Sequence, residues 1–573
     1  MSVHVGIDLG TANCKIAVIN RRVDKNANEP EILSIPQYLE GRQYSNRGLP
    51  YLPSVVHFDP RQPKHALTGV YAARDAFLSS PDHTIRSVKR EMGRRTLYSD
   101  GDRQWMPQSI SAILLSKMRS VTEDHLQMDV HGATITVPAS FSNRQRQATL
   151  EAASLAGFKR GDVALIDEPS AAILHFLVKQ RRRRRSYIDD KPNNILVFDM
   201  GGGTLDVSIV RTEPVDDTLR AEIIGRSRYT ELAGNDFDLR LAAYLLNVAR
   251  SGHPIMDRMP PSYRRKLAAE LVFVAEDIKK TLAARLNEAF VYVDELSDEQ
   301  DVVVDWPTHE IEFEEDKVLR LKGQSYSLRN HFEPIWAPFL THNPKEAESV
   351  TIYAPILSAL HEAFPDRSDA RSEVDIVLFH GGTCQLKFVQ LLVQQFFDVD
   401  PAPRMMVTPD LMGSVALGAA VYDTLRSDES KAQFSGIRIQ PQPIFESVFV
   451  DWDGLKQLVP DHAIAGRRNE VAFKAPPGYP ARLPINLYHG FRADDPFLAL
   501  DQELMIAFDM PVEPGEPIYL GWQVQSNRDV EYWWRLKDGK PRALQERVGR
   551  SMREDQKRLL SKQREQLAEL TIE

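Results

Sequence analysis

Two short segments of the chain have the residue types needed to hold a polyphosphate. Residues 5–11 read VGIDLGT and residues 197–206 read VFDMGGGTLD, so each apolar strand ends in a carboxylate, Asp8 or Asp199, before a turn of glycine and threonine. Glycines let backbone N–H groups crowd around phosphate oxygens, threonine hydroxyls add donors, and a carboxylate can meet the shell of a magnesium ion. Two such hairpins indicate a duplicated fold with a nucleotide held between its halves.

The elements that must position these hairpins alternate between strands and helices, which is typical of an α/β architecture. Residues 133–138 predict a strand that leads into a long helix from about Ser142. Residues 195–198 and 375–379 are short apolar runs of the kind found in fully buried strands. A core-facing helix between them is marked by helical spacing of Leu267, Leu271, Ala275, Ile278 and Leu282. We expect one domain from residue 1 to 426.

The remainder of the chain differs in character. Residues 427–436 are polar and predict a linker. From 437 to 540, alternating apolar residues and turn signals predict a small β-sandwich. Residues 541–573 have the spacing of one charged amphipathic helix.

Composition excludes several classes of protein. With 573 residues and 42% hydrophobic content the chain can bury real cores, and a net charge of -9 favours neither nucleic acid nor an anionic membrane. Two cysteines, Cys14 and Cys384, give no disulfide framework and fit a reducing compartment. Because the first strand starts at the third residue, we expect no signal peptide, and no apolar run approaches the ~18–20 residues of a membrane span. We expect a cytoplasmic protein.

Together with four further segments in order, the hairpins resemble the seventy-kilodalton heat-shock chaperones of the DnaK type. These segments are 88–95 (VKREMGRR), 135–149 (ITVPASF, then RQRQAT), 165–172 (LIDEPSAA) and 232–238 (LAGNDFD). The resemblance spans residues 3 to about 423. It implies a duplicated, two-lobed, actin-like ATPase domain that binds ATP or ADP with Mg²⁺, with K⁺ as a candidate second cation, and that hydrolyses ATP slowly.

The resemblance implies a role for each residue that matches the family pattern. Thr11 and Thr204 contact phosphates, and Asp8 and Asp199 lie in the outer sphere of magnesium. Lys89, together with Glu168 and Asp206, positions the attacking water. The implied catalytic set is Lys89, Glu168, Asp199, Thr204 and Asp206. The implied nucleotide contacts are Gly10, Thr11, Ala12, Asn13, Gly201, Gly202, Gly203, Thr204, Gly234, Asp236, Glu276, Lys279, Gly381, Gly382, Thr383 and Gln385.

Other matching positions imply coupling, while several departures weaken the likeness. Pro138 and Arg146 match a relay between nucleotide state and the rest of the protein. Gln385 replaces an arginine that stacks on the base, a loss of about 1 kcal/mol on the scale of a cation–π contact, and Ala283 replaces a serine against the base. Residues 427–436 contain no apolar linker of the family kind, and the chain beyond 540 has room only for a reduced helical lid.

Several positions also have ordinary structural explanations. Lys89 lies in a basic cluster that could be a solvated helix face, and Glu276 with Lys279 or Lys280 could be a plain helical ion pair. His380 after a buried strand is more often packed than reactive. The arginine run 181–185 is the pattern of a solvated insertion, with nucleic acid or an acidic partner as the alternatives.

Three functions are open on these grounds. The first is a chaperone-like ATPase whose nucleotide state controls binding of unfolded or specific client polypeptide, with a J-domain-type co-chaperone and a nucleotide exchange factor as implied partners. The second is a nucleotide-dependent partner-binding or signalling module without general chaperone activity. The third is a filament-forming or sugar-kinase relative on the same scaffold, which the appended sandwich disfavours.

Overall fold

The computed structural model describes most of the chain in side-chain detail. The described residues are 3–20, 29–39, 42–43, 48–94, 96–101, 103–181, 191–216, 218–227, 232–252, 260–289, 301–314, 317–341, 350–408, 410–426, 436–439, 447–461, 463, 465–478, 480–490, 492–494, 499–525, 530–546 and 552–572. The arginine run beyond position 181 and the polar part of the predicted linker, residues 427–435, lie outside them.

The first lobe is built on a sheet that begins with the first predicted hairpin. The strands of the first lobe, which belong to more than one sheet, are β1 (Val3–Asp8), β2 (Asn13–Asn20), β3 (Glu31–Ile32), β4 (Tyr38–Leu39), β5 (Arg42–Gln43), β6 (Leu52–Pro53), β7 (Val55–Phe58), β8 (His65–Thr68), β9 (Thr84–Arg86), β10 (Tyr98–Asp100), β11 (Arg103–Trp105), β12 (Ala133–Val137) and β13 (Val163–Asp167). Its helices are α1 (Gly69–Tyr71), α2 (Phe77–Ser79), α3 (Pro107–Leu126) and α4 (Asn143–Leu155). The predicted helix start is confirmed by a capping box between Ser142 and Gln145.

The second lobe repeats this plan after a crossing helix, α5 (Glu168–Arg181). Its strands are β14 (Asn193–Met200), β15 (Leu205–Val215), β16 (Thr218–Arg226), β17 (Val303–Trp306), β18 (His309–Glu314), β19 (Lys317–Leu321), β20 (Gln324–Ser327), β21 (Ile376–His380), β22 (Arg404–Val407) and β23 (Ile437–Ile439). Its helices are α6 (Gly234–Gly252), α7 (Pro261–Ala289), α8 (Glu333–Leu340), α9 (Tyr353–Ala363), α10 (Lys387–Phe396) and α11 (Ser414–Arg426).

The two main sheets have the same strand order and directions, which confirms the predicted duplication. One runs β13-β12-β1-β2-β3 and the other β22-β21-β14-β15-β16. In each, the hairpin is antiparallel and two strands follow in parallel beside its first strand. The hairpin turns therefore lie at equivalent edges of two equivalent sheets, and the lobes can present them to each other.

Helices α5 and α11 fill the space between the lobes. α11 approaches α5 so closely that a Cβ on Gly418 would lie 1.8 Å from the carbonyl oxygen of Ala171. A Cβ on Gly6 of β1 would lie 2.2 Å from the backbone nitrogen of Ala420. Only glycine permits these two approaches, so the sequence fixes the distance between the crossing helices and the first sheet.

The predicted sandwich is present, with shifted limits. Its strands are β24 (Ser447–Asp451), β25 (Leu455–Val459), β26 (Arg468–Lys474), β27 (Arg482–Gly490), β28 (Ala499–Ala507), β29 (Pro517–Val524), β30 (Val530–Leu536), β31 (Arg542–Ala543) and β32 (Gln545–Glu546). They form sheets β25-β24-β27-β28-β32 and β26-β29-β30-β31 around one apolar core. The described sandwich strands thus run from 447 to 546, later at both ends than the predicted 437–540.

The last described elements depart from the expected helix over 541–573. The helix is α12 (Met552–Ala568), and a final strand, β33 (Thr571–Ile572), follows it. β33 pairs with β8, so this segment lies on the first lobe. Its role as a reduced lid stays a prediction. Among the described helices, none is long and apolar enough to cross a membrane.

Candidate nucleotide site

The turns of the two predicted hairpins face each other across the cleft between the lobes. A Cβ on Gly203 would lie 2.2 Å from Thr11 Cγ2, and one on Gly202 would lie 2.7 Å from the Ala12 methyl carbon. Both glycines are therefore required for the approach of the turns. The buried hydroxyl of Thr11 has no hydrogen-bond partner within the described part of the chain. A phosphate oxygen between the turns would supply that partner.

Four carboxylates converge below these turns. Asp8 ends β1, Asp199 lies opposite Asp206 in the second hairpin, and Glu168 begins α5. Burial, reinforced by the charge of Asp8, raises the pKa of Asp199 from 3.8 to about 7. Burial and the charge of Glu168 raise the pKa of Asp206, and burial also raises the pKa of Glu168. The cluster holds more negative charge than its surroundings stabilise.

Lys89 is the main cation within this cluster. Ser87 has a left-handed backbone (φ 54°), and the 3-10 turn Val88–Glu91 that follows aims Lys89 into the cleft. The lysine is 5% exposed and forms an ion pair with Glu168. Burial alone would lower the pKa of Lys89, but the neighbouring carboxylates outweigh burial and raise it. Lys89 is therefore a buried ammonium, and the solvated-face alternative does not hold for it.

Arg90 is a residue whose place in the site we did not predict. Its Nε donates to the carbonyl oxygen of Gly203 at 2.8 Å, and its guanidinium lies 3.9 Å from Asp236. Arg90 therefore reaches from the first lobe to the turn 201–204 of the second hairpin. We call this turn the second phosphate turn, and the turn 9–12 of the first hairpin the first phosphate turn. The one sequence signal for this role is the position of Arg90 directly after Lys89 in a basic segment.

The donor set suits a hydrated magnesium ion. The available groups are carboxylate and hydroxyl oxygens, which hard cations prefer. Within the described residues, no group of three or more His, Cys, Asp or Glu side chains is close enough to enclose a bare metal ion. Carboxylates that are poorly neutralised but spread apart fit outer-sphere contacts to a hydrated cation.

The predicted adenine pocket lies on the second lobe, between α7 and the turn after β21. Lys279 donates to the Gly234 carbonyl oxygen at 2.9 Å and to Asp238 at 2.6 Å, so it fixes the start of α6. Glu276 forms an ion pair with Lys280 at 2.7 Å, which is the ordinary helical ion pair that the sequence allowed as an alternative to an adenine contact. Gln385 is exposed at the end of its turn.

The remaining predicted contacts frame this pocket and the first phosphate turn. Thr383 donates to the Gly201 carbonyl oxygen at 2.8 Å, while Gly381 has φ +85° and a Cβ there would meet Asp199. Gly382 follows it in the same turn, whereas Gly10 and Asn13 flank the first phosphate turn. His380 is buried, hydrogen-bonded to Ser414, and burial lowers its pKa to about 4, so it is a packed neutral side chain as expected. Cys14 and Cys384 are buried free thiols.

An aromatic contact closes the top of the cleft. Phe77 of the first lobe meets Phe273 of α7 edge to face, with ring centroids 6.0 Å apart. The guanidinium of Arg86 lies 4.8 Å from the first ring and 5.5 Å from the second. We call these three residues the cleft clasp, because they join the two lobes, and Glu276 of the predicted adenine pocket lies close enough to interact with the charge of Arg86.

A second charge cluster, which we call the lower charge cluster, contains residues of both lobes and one residue of the sandwich. Arg146 donates to Asp167 at 2.5 Å and to the Pro138 carbonyl oxygen at 3.5 Å. Arg226, on β16, is 2% exposed and lies 3.7 Å from Glu362. Burial lowers the pKa of Arg226, and nearby carboxylates that oppose this include Asp167 and, from the sandwich side, Asp461. Arg146 of the implied relay thus lies close enough to Arg226 to interact with its charge, and Arg226 also interacts with the charge of Asp461 in the sandwich.

Sequence comparison is consistent with this geometry. A family model described as "Hsp70 protein" matches residues 4–104 and 95–306. The chain belongs to the Hsp70 family. It is 27% identical to "Chaperone protein DnaK" of Thermosipho africanus (strain TCF52B) over 90% of this chain and 73% of the relative. It is 30% identical to "Chaperone protein DnaK" of Halobacterium salinarum over 74% of this chain and 56% of the relative.

Family membership confirms the predictions made at the level of the whole chain. These are a divergent DnaK-type member, duplicated actin-like lobes with a sandwich, and ATP-dependent molecular chaperone function. Hsp70 proteins are ATPases, which supports ATPase activity here in general terms. The roles of individual site residues stay predictions, although their positions around one cleft agree with them.

Proposed function

We propose that ATP is hydrolysed in the cleft between the lobes and that the bound nucleotide controls how the sandwich binds unfolded polypeptide. The observation that carries the proposal is the closely opposed pair of phosphate turns above a cluster of buried carboxylates and Lys89. A cleft of this kind can hold a polyphosphate only when both lobes close on it.

The proposed hydrolysis relies on positioning and electrostatics. Thr11 and Thr204 hold phosphate oxygens, and Glu168 and Asp206 accept hydrogen bonds from the attacking water. Lys89 provides the positive charge that the transition state needs. Asp8 and Asp199 would hold a hydrated Mg²⁺, which would supply positive charge to the phosphates. No covalent nucleophile is required, and slow turnover is the expected result.

Base recognition is proposed to be weaker than in relatives with an arginine at the Gln385 position. Gln385 is exposed, and Lys279 is engaged by Asp238 and Gly234, so neither side chain is preset to stack on a purine. The backbone turn 381–385 and Glu276 remain as contacts. We expect ATP and ADP as ligands, with weaker binding of the base than a stacked arginine would provide.

Communication with the sandwich is proposed to run through β23 and the lower charge cluster. Ile437–Ile439 pairs in parallel with β16 of the second sheet, and Ile437 is 5% exposed in the core beside α5. This short apolar strand directly follows residues 427–436, the polar segment that contains no apolar linker of the family kind. Arg226 lies on the same β16 and near Asp461, so a shift of the sheet edge reaches the sandwich by two contacts.

The biological setting follows from the same proposal. The ligand of the sandwich is an unfolded or specific client polypeptide, and a J-domain-type co-chaperone and a nucleotide exchange factor are the expected regulators. We place the protein in the cytoplasm and name neither nucleic acid nor a membrane as a partner.

Steady-state ATP hydrolysis with and without a panel of unfolded peptides tests this function. We expect slow magnesium-dependent turnover that several peptides alter, and slower turnover in Thr204→Ala. A flat response across the panel would instead favour a dedicated partner-binding module, and absence of turnover with every nucleotide would contradict the proposed chemistry.

A further inference from the structure

A partly exposed methionine, Met412, lies beside the predicted adenine pocket. It belongs to the turn 410–413 that precedes α11, and its side chain is 37% exposed. A Cβ added to Gly382 would lie 4.0 Å from the methyl carbon of Met412. Apart from the sequence neighbours of Gly382, no other heavy atom of the described chain would lie within 4 Å of that Cβ. The Met412 methyl group therefore borders an open space in front of Gly382.

The turn 381–385 leads from the phosphate end of the cleft to this open space. Thr383 donates to the carbonyl oxygen of Gly201, in the second phosphate turn, at 2.8 Å. A Cβ on Gly381 would lie 2.5 Å from the carboxylate of Asp199. A nucleotide whose phosphates occupy that end would therefore extend its sugar and base along this turn, into the space that the methionine borders.

Backbone hydrogen bonds fix the turn that carries Met412. The amide of Gly381 donates to the carbonyl oxygen of Leu411 at 3.3 Å, which holds the two turns side by side. The amide of Gly413 donates to the carbonyl oxygen of Asp410 at 2.8 Å and closes the turn on itself. The backbone on both sides of the methionine is therefore held, whereas its unbranched side chain can still adapt to a ligand.

Two buried histidines support the same turn. His380 is hydrogen-bonded to the hydroxyl of Ser414 at 2.7 Å, directly after the turn. His175, on α5, lies 3.6 Å from the carboxylate of Asp410. Because these contacts exist without a nucleotide, the methionine is already in place when one binds, and little ordering of the turn is required.

A thioether suits the contact that the base lacks on this side. Gln385 carries no charge to stack on a purine, whereas a methionine side chain makes favourable contacts with aromatic rings. Single exposed apolar residues are ordinary on protein surfaces, so the exposure of Met412 by itself indicates nothing. Its fixed position at the end of the turn 381–385 is what points to a contact with the base.

We propose that Met412 forms the apolar face of the base pocket and packs its thioether on the purine ring of bound ATP or ADP. It supplies part of the contact that an arginine at the position of Gln385 would make. This inference rests on the proposed function, because it needs a nucleotide held in the cleft. Met412 binds the base and has no part in the cleavage of the phosphate bond.

Calorimetry on the full chain with two ligands tests the contact. One ligand is ADP, and the other is ribose 5-diphosphate, which is ADP without its base and is measured by competition. In Met412→Ala we expect affinity for ADP to fall about threefold to tenfold, the scale of one sulfur–aromatic contact, and affinity for ribose 5-diphosphate to stay unchanged. Met412→Leu keeps an apolar side chain and should recover part of the loss. Met510→Ala, at a 76% exposed methionine of the sandwich, is the matched control and should bind both ligands as the parent does.

Methyl NMR gives a readout that does not depend on affinity. The full chain is labelled on the methyl groups of its 14 methionines, and the Met412 signal is the one that Met412→Ala lacks. Saturating ADP should move this signal upfield, because a methyl group above the face of an aromatic ring is shielded by the ring. Ribose 5-diphosphate has no ring of this kind and should not cause the shift.

The possible results separate this inference from the proposed function. Unchanged affinity of Met412→Ala for ADP, or an equal loss for both ligands, would overturn the inference, because Met412 would then not contact the base. A Met412 signal that saturating ADP does not move would overturn it too. In each of these cases the parent still binds ADP, and the proposed function stands. If the parent binds neither ligand, the proposed function fails and this inference fails with it.

Discussion

Replacement of Asp199 by asparagine should stabilise the protein without nucleotide while it removes activity. Burial and the Asp8 charge raise the pKa of this carboxyl from 3.8 to about 7 in the folded state, whereas the unfolded chain keeps the ordinary value. The folded state therefore binds the proton more tightly, and the free energy of unfolding falls as pH rises from about 4 to about 7. At 1.36 kcal/mol per pH unit, the full shift corresponds to about 4 kcal/mol.

Asparagine carries no charge to bury, so Asp199→Asn should escape this loss. Relative to the parent, we expect its free energy of unfolding to gain about 2–3 kcal/mol between pH 5 and pH 8.5. The assay is urea unfolding of the full chain with a chelator and without nucleotide, followed by the fluorescence of buried tryptophans such as Trp105 and Trp336 in the two lobes.

The matched control is Asp509→Asn, an exposed carboxyl whose ion pair with Arg542 lowers its pKa. Because its shift has the opposite sign and the site is open to water, this change should give no gain at high pH. The free energies of unfolding of Asp199→Asn and the parent could instead differ by the same amount at every pH. The carboxylate cluster would then not hold uncompensated negative charge, and the physical argument that it attracts a cation would fail.

Four further predictions concern the cleft and its coupling to the sandwich. Lys89→Ala should reduce single-turnover hydrolysis by about 10²–10³-fold, as for other lost transition-state charges, while calorimetry shows ATP still bound. Phe273→Ala should open the cleft clasp and speed release of a fluorescent nucleotide about tenfold in stopped flow; an unchanged rate would mean that the clasp does not limit release. Ile437→Asp should keep basal ATPase but abolish its response to peptide. Because the raised pKa of Asp199 makes protons compete with magnesium, affinity for Mg-ATP should rise from pH 6 to pH 8; a flat titration profile would contradict this.

Local sequence was sufficient for the hairpins and the elements beside them. Glycine and threonine turns after apolar strands define both phosphate turns, and Ser142 with Gln145 sets the start of α4 through backbone hydrogen bonds within one turn. Such features depend on neighbours along the chain, so their limits were predicted to within a few residues.

Features that depend on distant contacts could not be predicted. Arg90 has a role only because its partner Gly203, 113 residues further on, faces it across the cleft. Ile437 and Ile439 are two apolar residues in a short run, and only the open edge of β16 makes them a strand. The charged pattern of α12 fitted any amphipathic helix, since its surface to dock on is formed by Gln104, Met106 and Ser109 of the first lobe.

Every role proposed for the cleft requires that one nucleotide is held by both phosphate turns at once. The most direct test is a crystal structure of the full chain with magnesium and a non-hydrolysable ATP analogue. We expect the phosphates to lie between Thr11 and Thr204, with Lys89 turned to the γ-phosphate and the metal near Asp8 and Asp199. Phosphates bound to one turn only, or a nucleotide outside the cleft, would contradict this account.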